Sequence, residues 1–370
     1  MDFIHQRLAE ARDKDALRSL VQPSGLLDFV SNDYLGLVTN KRIVLPDSRL
    51  YATGSTGSRL LAGNYGLIEQ AEQEIAAFHN APAGLIFNSG YDANLGLFSC
   101  IGRPGTTILY DRLIHASVHD GMRLSGAVCH SFDHNDPNDL ERKLRQLPGP
   151  VFVVTESVFS MDGDLAPLDD IAQLCAKYAA ALIVDEAHAT AVIGPRGEGL
   201  VQMLGLQDQC FARIHTFGKA LGCHGAIILG STELRDYLIN FSRPFLFSTA
   251  LPEHSIALVL QAYRLFPNMK LEREHLAELI SMFRHAVLPV ERTPATTAIQ
   301  GLIIPGNKQV RKVAAELQRQ GFDVRPIISP TVRRGSERLR VVLHAFNDKE
   351  SVQRLIGQLQ NIDDLIQREQ

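Results

Sequence analysis

The sequence predicts a large, mostly parallel, doubly wound α/β domain followed by a smaller α/β unit. Three observations carry that expectation. Short apolar runs bounded by turn residues recur between about residues 66 and 230, and segments of helical spacing lie between several of them. Beyond residue 288 a second strand-and-helix pattern begins, and the 370 residues leave room for it beside one sheet domain.

Taken in order, the first residues read as an amphipathic helix ending near Leu20, and LLDFV (26–30) as a short strand. GLIEQAEQEIAAFHN places Ile68, Ala71, Ile75 and Phe78 at helical spacing. GLIF (84–87), TTILY (106–110), VFVV (151–154), ALIV (181–184) and GAIIL (225–229) have the length of buried parallel strands. Pro252 to about Leu288 reads as mostly helical. AIQGLIIP (298–305) then predicts a strand, NKQVRKVAAELQRQG (307–321) a helix closed by Gly321, FDVRPI (322–327) and RLRVVLHA (338–345) strands, and DKESVQRLIGQLQ (348–360) a helix. The expected division is residues 1–45 as an N-terminal segment packing with the small unit, 46–260 as the large domain, and 261–370 as the small one.

Charge and composition exclude several classes. Lys and Arg total 37 against 41 Asp and Glu, a net charge of −4, so there is no basic surplus to neutralise nucleic-acid phosphates. No apolar run approaches the roughly 20 residues that span a bilayer. The start carries acids from its second residue and lacks an apolar core, unlike a signal peptide. Cys100, Cys129, Cys175, Cys210 and Cys223 are odd in number and never spaced CxxC, which fits reduced thiols in a cytoplasmic enzyme.

Nucleotide fingerprints are missing: GPRGEG (194–199) has the wrong spacing for GxGxxG, and no GxxxxGK[ST] occurs. His115 and His119 are spaced as ligands on one helix face, but no HExxH glutamate or third ligand accompanies them, so no metal is expected. Three segments carry more. In IVDEAHATAV (183–192) an apolar strand delivers Asp185 and His188 at its carboxyl end, where open α/β sheets bind ligands. IHTFGKALG (214–222) sets Lys219 in an apolar, glycine-flanked turn three residues after Thr216. FNSGYDANLG (87–96) turns from strand to helix at Ser89-Gly90, freeing amides for a phosphate. Singly, each has a bland reading as a turn cap or a solvated lysine. Together they meet the needs of pyridoxal phosphate: a lysine for its aldehyde, a carboxylate for its pyridine nitrogen and an anion site at a helix start.

SNDYLGL (31–37), GSTGSRLLAGN (54–64), DRLIHAS (111–117), TESVFSMDGDLAPL (155–168), VDEAHATAV (184–192), TFGKALG (216–222) and FSTALP (247–252) together resemble the α-oxoamine synthases. These are fold-type I pyridoxal-phosphate transferases of the aspartate aminotransferase-like fold, and the resemblance runs from about residue 16 to 345. It implies an acyltransferase that condenses an amino acid with an acyl thioester, releases CO2, and works as a homodimer with shared active sites. GSRLLAGN and DALR (15–18) resemble the biotin-pathway branch, which joins L-alanine to a pimeloyl thioester of CoA or acyl carrier protein.

The resemblance implies Lys219 as the lysine that bonds the cofactor and as general base, Asp185 at the pyridine nitrogen, His188 at the ring hydroxyl and His115 stacked on the ring. Thr216, Gly90 and Tyr91 are implied at the phosphate, and Ser160 against the cofactor. Arg18, Asn32, His115, Thr331 and Arg340 are implied on the substrate side, Arg340 as the carboxylate clamp. Ser248 and Thr249 would reach a phosphate across the dimer interface. The chain departs from the family at Ala191, where a glycine is usual and where Ala disfavours positive φ, and at Cys223 and His224, both expected to pack. Alternatives are a sister synthase such as 2-amino-3-ketobutyrate CoA ligase or 5-aminolevulinate synthase, an aminotransferase, and a non-catalytic pyridoxal-phosphate protein.

Overall fold

The computed structural model describes residues 2–22, 25–45 and 47–362; boundary residues 1, 46 and 370 of the expected division lie outside them. The chain opens with α1 (Asp2–Asp13) and β1 (Leu27–Asp28). The central run is α2 (Gly66–Phe78), β2 (Ala83–Phe87), α3 (Gly90–Ile101), β3 (Thr107–Asp111), α4 (Ala116–Arg123), β4 (Val128–Phe132), α5 (Pro137–Leu144), β5 (Val151–Glu156), α6 (Leu168–Lys177), β6 (Ala181–Asp185), α7 (Leu200–Met203), β7 (Cys210–Thr216), β8 (Ala226–Gly230), α8 (Thr232–Phe241), α9 (Arg243–Leu246) and α10 (Glu253–Leu265). The last stretch is α11 (Lys270–His285), β9 (Ile299–Ile303), α12 (Asn307–Arg319), β10 (Phe322–Asp323), β11 (Arg325–Ile327), β12 (Arg338–Val342) and α13 (Lys349–Gln360).

These elements form two compact units. Leu35–Phe159 and Leu165–Leu271 make the larger; residues up to Tyr34, Ser160–Asp164 and residues from Glu272 make the smaller. Helix α10 stays with the larger unit because its neighbours are there: Tyr65 donates to Leu251 O just before it, and Tyr263 OH meets His79 Nε2 at 3.1 Å.

The larger unit is built on a seven-stranded sheet of order β2-β8-β7-β6-β5-β3-β4. Strands β7, β6, β5, β3 and β4 run parallel to one another, whereas β8 is antiparallel to both β7 and β2. GAIIL is therefore corrected from a parallel to an antiparallel strand. It follows β7 through a short hairpin loop, and so tight a link cannot make the parallel crossover. Because β2 is reversed twice relative to β7, its carboxyl end lies at the same sheet edge as those of β3, β5, β6 and β7. Leu85, Leu97, Phe98, Ile108, Val118, Val154, Ile183, Ile214 and Ile228 join in one buried cluster on this sheet. Strands β4 and β7 escape the sequence pattern: β4 alternates exposed and covered residues, and β7 reads CFARIHT, with an arginine and a histidine that the fold buries.

In the smaller unit, β1 pairs with β10 in parallel, and β11-β12-β9 form an antiparallel sheet. FDVRPI is thus two short strands in different sheets, not one. The first helix ends at Asp13, not near Leu20. Asp15 adopts φ 49° and the Ala16 amide returns to Ala11 O at 2.8 Å, a left-handed helix stop made without glycine.

Candidate active site

Five strands deliver side chains to one edge of the large sheet, at the carboxyl ends where open α/β sheets bind ligands. Beyond β2, Ser89 caps α3 by accepting the Asp92 amide at 3.0 Å. The amides of Gly90 and Tyr91 lie in the first turn, where no helix carbonyl can accept them. A Cβ on Gly90 would stand 3.2 Å from Thr216 Oγ1, so glycine keeps a cradle open between the helix start and the end of β7. Tyr91 OH donates to Asp120 Oδ2, which raises the phenol's pKa.

Asp185 ends β6, 7% exposed, and its two oxygens are separately engaged. Oδ1 accepts from the Ala187 amide (3.0 Å) and Oδ2 from Asn94 Nδ2 (2.8 Å). Asn94 also donates to Ser117 Oγ at 3.0 Å, and Ser117 Oγ lies 2.8 Å from His115 Nδ1. The Ser117 amide donates to Nδ1 at 3.2 Å, so that nitrogen is an acceptor and the Ser117 hydroxyl proton points to it as well. Neutral His115 therefore carries its proton on Nε2. Packing around the imidazole lowers its pKa, the Asp185 carboxylate opposes that, and the Lys219 charge adds to it. His115, Asp185 and Lys219 thus share one electrostatic environment.

Lys219 sits half-buried in the β7–β8 loop. That loop is fixed by Phe217 N to Gly225 O (2.8 Å), Gly222 N to Lys219 O (2.8 Å) and Cys223 N to Phe217 O (2.8 Å). Glu156 ends β5 beside Asp185 in strand register; burial, then the Asp185 charge, push its carboxyl up to about 8. His188 is buried in the turn after β6. The Thr249 carbonyl accepts from Asn88 Nδ2 at 2.8 Å, which sets the 248–249 segment beside the start of α3 in the same chain.

Apart from His115, the substrate-side residues lie in the smaller unit. Arg340 on β12 donates through Nε to Ser160 O (2.8 Å) and through Nη2 to Asn32 Oδ1 (2.9 Å). Arg18 Nη2 donates to Thr331 Oγ1 at 2.7 Å. So Arg340, Asn32 and Ser160 form one group, and Arg18 with Thr331 another.

Two departures resolve differently from expectation. Ala191 does adopt positive φ, at 68°, held by its amide to Gly197 O (2.8 Å). Cys223 is half-buried and donates to Leu221 O, with its thiol pushed up to about 12, but His224 is exposed and not packed. Asn94, Ser117 and Glu156 escaped the sequence reading. A polar Asn94 on the covered face of α3 was the signal that could have found the first of them. Among the described residues no cluster could hold a metal ion.

The family model described as aminotransferase class I and II matches residues 24–359. The chain is 44% identical to 8-amino-7-oxononanoate synthase of Emericella nidulans, covering 99% of this chain and 96% of that protein. It is 37% identical to the Pseudomonas putida protein of the same name, with 95% of each covered. Among solved structures, 8-amino-7-oxononanoate synthase of Francisella tularensis superposes with a TM-score of 0.76 at 27% identity over 93% of this chain and 97% of that one. Serine palmitoyltransferase of Sphingomonas wittichii gives 0.87 at 26% identity over 98% and 96%. With a family match across most of its length and relatives this similar from end to end, the chain belongs to the class I and II aminotransferase family and, within it, to the 8-amino-7-oxononanoate synthases.

Proposed function

We propose that this chain joins L-alanine to a pimeloyl thioester with release of the carrier thiol (CoA or acyl carrier protein) and loss of CO2, giving 8-amino-7-oxononanoate, and that pyridoxal phosphate is held at the edge of the large sheet. The observation that carries the cofactor reading is the buried Asp185 carboxylate, fixed by Asn94 and sharing its electrostatic environment with Lys219 and His115. The open cradle at Gly90 and Thr216 suits a phosphate.

When bound, pyridoxal phosphate supplies an electron sink for the negative charge left on the amino acid's Cα. Asp185 offers the carboxylate that keeps a proton on the ring nitrogen, and Asn94 stops that carboxylate from turning away. The first-turn amides of Gly90 and Tyr91, with the Thr216 hydroxyl, bind phosphate oxygens; Ser160 and His188 complete the cofactor contacts. Lys219 takes the Cα proton through its amine. His115 presents Nε2–H, because Nδ1 is occupied by Ser117, and can move a proton there. Arg340 and Asn32 bind the amino acid's carboxylate, and Arg18 with Thr331 lies on the substrate side. The proposal includes a homodimer in which Ser248 and Thr249 serve the partner's phosphate site. It also includes a cytoplasmic location, in keeping with five unpaired cysteines.

The deciding experiment offers the purified holoenzyme alanine, glycine or serine against several acyl thioesters, with a 2-oxo acid as a further arm. Decarboxylative condensation selective for alanine and a pimeloyl thioester is expected. Preference for glycine would reassign the chain to a sister synthase, and amino transfer to the 2-oxo acid would reject the reading. Borohydride reduction and peptide mapping should place the pyridoxyl group on Lys219; a label on another lysine sinks the site.

A further inference from the structure

Behind the candidate site, the larger unit buries an ionisable cluster that the proposed chemistry does not use. Glu186 follows Asp185 and is fully enclosed. Its Oε1 accepts from the amides of Leu200 (2.8 Å) and Val201 (3.1 Å). Its Oε2 has no hydrogen-bond partner and lies 4.0 Å from His215 Nε2, which has none either. His215 immediately precedes Thr216, and its Nδ1 lies 2.9 Å from Thr190 Oγ1. The Thr190 hydroxyl donates to Glu186 O at 2.7 Å. A hydroxyl has one proton, and this one is committed to a carbonyl, so Nδ1 must donate to Oγ1. Nε2 then turns its lone pair toward Glu186 Oε2. Two lone pairs facing each other in a dry interior repel unless a proton lies between them.

The surroundings do not supply that proton. His79 packs against His215 with ring centroids 4.0 Å apart and ring planes tilted by 33°. Its Nδ1 donates to the Glu198 carbonyl (3.1 Å), and burial pushes its pKa down to about 3, so the ring is neutral and Nε2 accepts from Tyr263 OH (3.1 Å). Arg213 Nη2 donates to His79 O at 2.7 Å, while Nη1 has no partner. The thiol of Cys210 is pushed up to about 12 by burial; the Arg213 charge and the Ser157 hydroxyl, which donates to Asp185 O at 3.3 Å, favour the charged form of Glu186 without outweighing its burial, and the Asp208 charge acts on Arg213 from outside. The fit is tight: a Cβ on Gly199, which has φ +101°, would stand 2.2 Å from Glu186 Oε2.

We propose that Glu186 and His215 are positioning residues, Glu186 carrying a proton on the Oε2 that faces the Nε2 lone pair across 4.0 Å, and that this pairing fixes the strand ends that present Asp185 and Thr216. Burial pushes the Glu186 carboxyl up to about 7 and drives His215 well below the usual histidine range, so the proton resides on the glutamate. A carboxyl raised in the folded state contributes stability that is present below its unfolded pKa and lost as pH rises toward its folded one. The positioning half rests on the functional reading above; the buried proton on Glu186 does not.

Glu186→Gln tests both on the holoenzyme, because the amide N–H can replace the acid proton toward Nε2 but cannot ionise. In infrared difference spectra of wild type against E186Q, a carboxylic-acid C=O band is expected at pH 6 that fades toward pH 8. The unfolding equilibrium of wild type relative to E186Q should shift by roughly tenfold per pH unit between about 5 and 7. No difference band, or parallel unfolding curves, overturns the buried proton on Glu186. The ratio of wild-type to E186Q dissociation constants for pyridoxal phosphate should rise several-fold from pH 6 to pH 8; a flat ratio overturns the positioning half alone. If E186Q does not fold, the band is followed in wild type against His215→Gln, which removes the acceptor and must move it. An unmoved band overturns the pairing.

Discussion

Arg340 shows how much one side chain can carry. Its guanidinium is half-buried and tied to Ser160 O and Asn32 Oδ1, a planar fork already oriented by two acceptors. As a carboxylate clamp it would contribute about 1.5 to 3 kcal/mol, so Arg340→Ala should weaken alanine binding by roughly ten- to hundredfold. Arg340→Lys should recover part of that loss. Spectral titration of the holoenzyme with alanine checks both, and unchanged affinity would remove Arg340 from the site. Ala191 carries a prediction of the opposite sign. Its left-handed backbone costs a non-glycine residue about 1 to 2 kcal/mol, partly offset by the chain entropy that glycine adds when unfolded. Ala191→Gly should therefore stabilise the protein by about 1 kcal/mol, read as a raised urea midpoint at unchanged slope. Lys219 and Asp185 stood out in the sequence because their residue types are chemically specific, whereas His115 was singled out by the resemblance alone. Glu186 was not, since a glutamate beside an aspartate reads as surface until a fold encloses it.

Among elements, the GSTGSRLLAGN segment is held by a buried ion pair. Arg59 Nη1 and Nη2 donate to Glu72 Oε1 (2.8 Å) and Oε2 (3.2 Å) on α2, and Glu72 Oε1 also accepts from the Ile86 amide (2.9 Å) on β2. One carboxylate thereby links a loop, a helix and a strand. Arg59→Ala leaves Glu72 only the more distant Arg235 Nη2, 3.7 Å from Oε2, and should cost up to about 3 kcal/mol, whereas Arg59→Ala with Glu72→Gln should recover much of that. Denaturant midpoints of the single and double variants measure the difference; equal loss in both would mean that packing of the arginine stem is what matters. The helices were legible where apolar spacing is strict, as in α2, α12 and α13. Strand direction was not: AIIL in β8 has the same buried composition as the parallel strands, and only its short link to β7 reverses it.

For the whole molecule, buried ionisable groups set opposing limits on stability with pH. His79, lowered to about 3 by burial, stays neutral in the fold while the unfolded chain takes up its proton below about pH 6.5, so acid destabilises the protein. Glu156 and Glu186, raised to about 8 and about 7, hold protons that the unfolded chain has already released, so stability also falls as pH rises toward 8. Above pH 6.5 the histidines no longer oppose this. Stability should then decline by up to about 1.4 kcal/mol per pH unit for each carboxyl still protonated. Thermal unfolding scans of wild type and Glu156→Gln from pH 5 to 8.5 test it: the variant should show a shallower alkaline decline, and an unchanged slope would exclude Glu156 as a contributor.

The sequence by itself determined the alternation of strand and helix, the smaller C-terminal unit, and the order of segments that carry Gly90, His115, Asp185, Thr216 and Lys219. Those features follow from local periodicity and from residue types with few roles. Tertiary structure alone decided that β8 runs against its neighbours, and that FDVRPI divides between two sheets. It also decided that Asn94 and Ser117 connect Asp185 to His115, and that Glu186 meets His215 in the interior. Each of these depends on residues far apart in the chain and on which groups lose their water, and neither composition nor spacing records that.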